Sequence, residues 1–123
     1  MAKLSEEAKK IIAEIHPAFV ATATKDGKPN VSPKGSFRVL DDEHVIFAEM
    51  ASPRTIANLK ENPQISAIVY DLAAHKGCRI WGKAEVLDSG DLVDVLRAEF
   101  AVRKMAVNLV VKVTVEETAV ISM

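Results

Sequence analysis

The sequence predicts a mainly β domain of about six strands and three short helices, arranged as a small antiparallel barrel. Three observations carry this reading. Apolar and polar residues alternate along most of the chain, the period of a half-buried strand. Strands follow one another through tight turns such as Asp26-Gly27 and Asp41-Asp42, which implies antiparallel pairing. The helical stretches fall between strands without a regular βαβ rhythm, and closing the sheet removes exposed edges. An open α+β sandwich is the alternative that the same elements allow.

The first element is a helix. Leu4, Ala8, Ile11, Ile12 and Ile15 recur at helical spacing, Ser5 is placed to cap, and Pro17 stops the run. "AFVATATK" (18–25) alternates as a strand and enters the Asp26-Gly27 hairpin. "NVSPKGSFRVL" (30–40) reads as one strand interrupted by Pro33 and Gly35. Proline cannot donate to a ladder, and glycine in a strand marks a bulge or a close approach to the backbone. "HVIFAEM" (44–50) returns as the third strand, and "SPRTIANLKENP" (52–63) is a short helix between Ser52 and Pro63. "QISAIVYD" (64–71) and "CRIWGKAEVLD" (78–88) are strands joined by a loop. "SGDLVDVLRAEFAVRKM" (89–105) is an amphipathic helix with early acids and late bases. "VNLVVKVTV" (107–115) closes the series, and "TAVIS" (118–122) either continues that strand or pairs at an edge.

The chain has 123 residues, the size of one domain, with 49% hydrophobic and 27% charged residues. A net charge of −1 argues against a broad nucleic-acid footprint but leaves room for a local basic site. Cys78 is the only cysteine, so no intramolecular disulfide forms. This fits a reducing cytosol, and a cytoplasmic protein is expected. The N-terminal stretch carries acids and lacks a continuous apolar run, which argues against a secretory signal. No run of 18 apolar residues exists, so no membrane-spanning helix and no membrane partner are expected.

Most reactive residue types offer nothing specific. His16, His44 and His75 lack metal-ligand spacing, so no metal site is expected. Cys78 reads as a small core residue rather than a nucleophile. No carboxylate pair or nucleophile-elbow motif stands out, and no catalytic residue is assigned.

Two stretches remain. In "SPKGS", Ser32, Pro33, Lys34, Gly35 and Ser36 form either a simple bulge or a strand whose backbone groups are freed to face a planar ligand. In "SPRT", the charges run against the helix dipole, which favours acids in the first turn. Here Arg54 stands in the first turn, and the only acid, Glu61, waits for the last. One reading is an ordinary capped helix with an exposed arginine. The other is an anion site built from free N–H groups, the Ser52 and Thr55 hydroxyls and the Arg54 guanidinium, with Lys34 as a second cation.

Taken together, "NVSPKGSF", a strand ending "FAE", "SPRTIANLKENPQISAIVYD" and "GCRIWGKAEV" resemble the pyridoxamine 5′-phosphate oxidase-like proteins, across about residues 18–88. The resemblance implies an FMN-binding, six-stranded antiparallel split β-barrel that forms a homodimer with FMN at the subunit interface. It implies an FMN phosphate at Ser52, Arg54 and Thr55, helped by Lys34. The flavin ring would lie along Ser32–Ser36 and near Ala48 and Glu49, with Trp81 at the interface or against the flavin. Oxidases of vitamin B6 carry a C-terminal segment rich in Trp, Arg and His. This sequence has none of these after Arg103, which argues against that activity. Three readings follow: a flavin-dependent oxidoreductase acting on a small substrate, an FMN carrier or electron-transfer protein with a redox partner, and a member that uses a deazaflavin or no cofactor.

Overall fold

The computed structural model describes residues 2–122. In chain order the elements are α1 (Glu6–Glu14), β1 (Ala18–Ala23), β2 (Pro29–Lys34), β3 (Arg38–Asp41), β4 (His44–Glu49), α2 (Pro53–Glu61), β5 (Gln64–Asp71), β6 (Lys76–Leu87), α3 (Asp91–Ala101) and β7 (Leu109–Ser122). The seven strands form one antiparallel sheet in the order β2-β1-β5-β6-β7-β4-β3.

The count of seven against six has one physical cause. The stretch expected as a single interrupted strand is divided at Gly35–Phe37. Its first half pairs with β1 and its second half with β4. The two halves are the outermost strands of the sheet, yet only three residues separate them. Three residues span about 10 Å at most, so the two edges of the sheet are drawn together and the barrel is closed by a split strand.

The main core lies inside this barrel. Val20, Phe47, Ile65, Val69, Ile80, Val111 and Val113 meet there, with Ile11 and Ile12 from α1 and Ile56 and Leu59 from α2. The α1 start is as the sequence suggests: the Ser5 hydroxyl accepts from the Ala8 N–H at 3.0 Å. A second cluster sits outside the barrel, where Val93, Leu96 and Phe100 of α3 cover Ile46, Ala48 and Val110. "TAVIS" continues the last strand, giving β7 fourteen residues. Near its middle β7 passes close to Gly82, where a Cβ would collide with the Thr114 carbonyl.

The third helix is shorter than its periodicity suggests. Gly90, at φ +109°, starts it without a side-chain cap. Beyond Ala101, the N–H groups of Arg103 and Met105 turn back to the Phe100 carbonyl at 3.0 and 3.1 Å. Arg103 and Lys104 therefore stand past the helix rather than in its last turn.

Candidate functional site

The interruption in the second strand builds one wall of a cleft of about 450 Å3. Ligand pockets of small-molecule proteins fall in the range of roughly 300–1,000 Å3. Ser32, Pro33, Lys34, Gly35 and Ser36 form this wall. Ala48, Met50, Ala51 and Ser52 form the second, and Phe100, Arg103 and Met105 the third. Ser36 replaces the missing ladder: its hydroxyl accepts the Ala48 N–H at 2.9 Å and donates to the Ala48 carbonyl at 3.3 Å. Arg38 donates to both oxygens of Glu99 at 3.0 and 2.7 Å, tying α3 to the barrel and holding the Glu99 carboxyl below its ordinary range. Arg97 donates to the carbonyls of Val107 and Asn108, and Asn108 donates to the Met50 carbonyl. These bonds hold the end of α3 against the cleft, where Arg103 lies 5.3 Å from the Phe100 ring centre.

At the inner end of the cleft Lys34 meets Glu49 at 2.7 Å, with both side chains buried. Ser52 joins them. Its hydroxyl accepts from Lys34 and donates to one Glu49 oxygen, while its N–H donates to the other. Ser52 stands at the N-cap position of α2, but its side chain makes no capping bond. Burial pushes the Glu49 carboxyl up. The bonds from Lys34 and Ser52, with the Lys34 charge, outweigh this and hold it below its ordinary value. The folded value is therefore lower than the unfolded one. The resulting stabilisation is present above the carboxylate range and is lost as pH falls through the lowered value. Glu49→Gln is expected to flatten the acid limb of melting temperature against pH, followed by circular dichroism from neutral pH downward. An acid limb as steep as that of the unaltered protein would contradict this.

Arg54 faces a different hollow. This smaller space, about 200 Å3, is bordered by Thr24, Lys28, Pro29, Asn30, Arg54 and Asn58. Among the described residues neither Arg54 nor Lys28 has an ion-pair partner, and no carboxylate lines the hollow. The two spaces follow one another along β2, residues 29–30 bordering the smaller and 32–34 the larger. Pro53 has no N–H, and the first intrahelical bond runs from the Ile56 N–H to the Ser52 carbonyl at 3.4 Å. The N–H groups of Arg54 and Thr55 thus precede the hydrogen-bonded part of the helix.

The sequence-derived candidates are therefore distributed. Ser32–Ser36, Ala48, Glu49 and Ser52 come together around the larger cleft and its inner end. Arg54 is exposed beside Lys28 in the smaller hollow. The Thr55 side chain is buried, and its hydroxyl has no hydrogen-bond partner. Trp81 lines neither space. It lies half-buried on the outer face of β6, with the Arg79 guanidinium 5.8 Å from its ring centre. Sequence reasoning missed Lys28, Phe100, Arg103 and Met105. Lys28 follows the hairpin glycine, an obvious solvent position, and the other three stood in what reads as an ordinary amphipathic helix.

A family model described as pyridoxamine 5′-phosphate oxidase matches residues 4–121. The chain belongs to the pyridoxamine 5′-phosphate oxidase family. An uncharacterised protein of Methanocaldococcus jannaschii is 41% identical over 66 residues. That stretch covers 52% of this chain and 44% of that protein, so this family member aligns with under half of its relative's length. Among solved structures, Group A Streptococcus HupZ is 29% identical, with a TM-score of 0.86 over 94% of this chain and 91% of HupZ. An FMN-binding protein from Syntrophomonas wolfei shares the fold at 17% identity, with a TM-score of 0.84 over 96% of this chain and 86% of that one. The sheet closed by its divided strand is thus the split barrel of the pyridoxamine 5′-phosphate oxidase family.

Proposed function

We propose that this chain is an FMN-binding flavoprotein and an oxidoreductase toward a small substrate. The observation that carries this reading is the pair of spaces that follow one another along β2: a basic hollow without carboxylates and a larger, partly apolar cleft. FMN has the same two parts, a phosphate dianion and a flat amphipathic ring. The residues fit the group. Arg54, Lys28 and the free N–H groups at the start of α2 suit the phosphate. β2 is an edge strand, and residues 35–37 pair with neither neighbouring strand, so polar backbone groups border the cleft beside Met50, Phe100 and Met105. Ser32–Ser36 and Ala48–Glu49 would meet the ring. Ser52, a wall residue of the larger cleft that immediately precedes α2, would sit near the linking chain. Bound FMN supplies hydride or electron transfer, and the protein contributes binding, orientation and exclusion of water.

The same reading makes the protein a homodimer. The outer face of β2, β1, β5 and β6 carries two apolar rows. Pro33, Phe19 and Ile68 are in register in one, and Val31 and Ala21 lead through Ser66 to Trp81 in the other. A sheet face turned to water normally carries polar residues, but Phe19 is 46% and Val31 64% exposed. A contiguous apolar patch of this kind marks an interaction surface. Pro33 also lines the cleft, so a second copy seated here would border the FMN. No helix among the described residues is long and apolar enough to cross a membrane. Cys78, the single cysteine, is free, which fits the reducing cytoplasm in which this reading places the protein.

The test is the visible spectrum of the purified protein, followed by identification of the released chromophore. A yellow protein that yields FMN and is bleached by a reductant is expected. A colourless protein that ignores added FMN, or one that releases a deazaflavin, would overturn the reading.

A further inference from the structure

A groove of about 440 Å3 opens next to the cleft, and it too has the size of a small-molecule pocket. Residues 50–52 border both spaces and are the only ones common to them, so this segment stands between the two. The opposite wall is one face of α2, where Pro53, Ile56, Ala57 and Lys60 follow at i, i+3, i+4 and i+7. Asn58 and Leu59 turn the other way, to Thr22 and the main core. Asn108 and Leu109 complete the groove where β7 begins beside the end of β4.

Little bonding capacity is left along this surface. Asn108 donates its N–H to the Glu49 carbonyl at 3.0 Å and its side-chain amide to the Met50 carbonyl at 3.1 Å. The Glu49 side chain reaches the groove, but both its oxygens are taken by Lys34 and Ser52. Met50, Pro53, Ile56 and Leu109 therefore offer a floor that an apolar body can cover. Lys60 is the exception. It suits the helix dipole in the last turn of α2, yet its exposed side chain has no ion-pair partner among the described residues. A cationic ligand would be repelled by it. A phosphate dianion would meet one solvent-screened cation and the buried Glu49 carboxylate, and would leave the apolar floor bare.

We infer that this groove is a second ligand site, for a small molecule with an apolar body about the size of one ring and a single carboxylate directed to Lys60. It is distinct from the proposed flavin site and does not require a flavin to be bound.

Phenylpropionate and phenylpropanamide are matched probes, one body with and without the charge. Each is titrated into isotope-labelled protein, with and without saturating FMN, and followed by amide chemical shifts. Saturable shifts are expected at Ile56, Ala57, Lys60 and Leu109, with the same affinity whether or not FMN is present. The carboxylate is expected to bind about threefold to fivefold tighter than the amide, the scale of one exposed charge contact. Lys60→Gln is expected to bring the two probes within about twofold of each other. Leu109→Asn is expected to weaken both by about fivefold, because it puts a polar group on the apolar floor. Lys60 is exposed and unpaired among the described residues, so its variant keeps the test open if Leu109→Asn does not fold. The inference is overturned by an absence of saturable shifts, by shifts confined to Gly35, Ser36 and Arg103 of the cleft, or by displacement of the probes by FMN. Equal binding of the two probes, a Lys60→Gln protein that keeps the full preference, or a folded Leu109→Asn protein with neither affinity changed also overturns it. Failure of FMN to bind counts against the flavin reading alone, since the titration without FMN still reads this groove.

Discussion

Replacing Arg54 with alanine is expected to weaken FMN binding by about 1.5–3 kcal/mol, the loss typical of a hydrogen bond to a charged group. Arg54 is exposed at the first turn of α2 and has no ion-pair partner among the described residues, so its charge is not committed to the fold. The melting temperature of the flavin-free variant is therefore expected to match that of the unaltered protein. Arg54→Lys is expected to recover part of the affinity, because the point charge remains while the planar fork is lost. Both affinities are read from the quenching of flavin fluorescence on titration, and the arginine contribution is expected to shrink as salt screens the hollow. An Arg54→Ala protein with unchanged FMN affinity would sink the phosphate assignment. Lys28→Ala, across the same hollow, is the natural companion. A smaller loss is expected there, since its long side chain leaves the exposed end of a hairpin.

The second large effect is expected at the apolar outer face. Val31→Lys puts a charge at the edge-strand end of the row shared with Ala21, where the side chain is already mostly in solvent in a single copy. The isolated chain loses little, because lysine is at home on an exposed strand position and its stem covers neighbouring apolar atoms. A dimer closed over this face would bury that ammonium without a partner, so the association is expected to weaken by about 2 kcal/mol or more. Sedimentation velocity over a range of concentrations reads this directly: a dimer for the unaltered protein, a shift to monomer for the variant, and unchanged circular dichroism for both. Because Pro33 belongs to this face and to the cleft, FMN affinity is expected to fall with the dimer. A monomer that binds FMN with full affinity at every concentration would separate the cofactor site from the interface and defeat the proposal.

Several parts of this molecule follow from local chemistry, and those were legible. The Ser5 cap, the Asp26-Gly27 hairpin with Gly27 at φ +95°, and the alternation of β5 and β6 depend on residues within a turn or strand of one another. The pairings β1–β2, β3–β4 and β5–β6 were legible for the same reason, since each short connection dictates the pairing of its neighbours, whereas β1–β5, β6–β7 and β4–β7 join strands distant in sequence. Pro33 and Gly35 also announced that the second strand is broken, because neither residue suits the middle of a ladder. That the two halves go to opposite edges of the sheet was not announced, since each half chooses its partner from a different part of the chain.

The sequence by itself determined the strands, the helix between Ser52 and Pro63, and the concentration of candidate residues at 32–36 and 52–55. The tertiary structure decided how those residues are divided. In the sequence Lys34 is a free cation and Ser52 a helix cap. In the fold, Glu49, fifteen residues from Lys34, takes up the charge of one and the hydroxyl of the other. Arg54 turns instead toward Lys28, and the end of α3 supplies a cleft wall from residues that looked like ordinary helix. The physical reason is range. Propensity, capping and turn geometry act over a few residues, whereas the pairing of buried charges is settled only when sheet closure removes the water that would otherwise solvate each one.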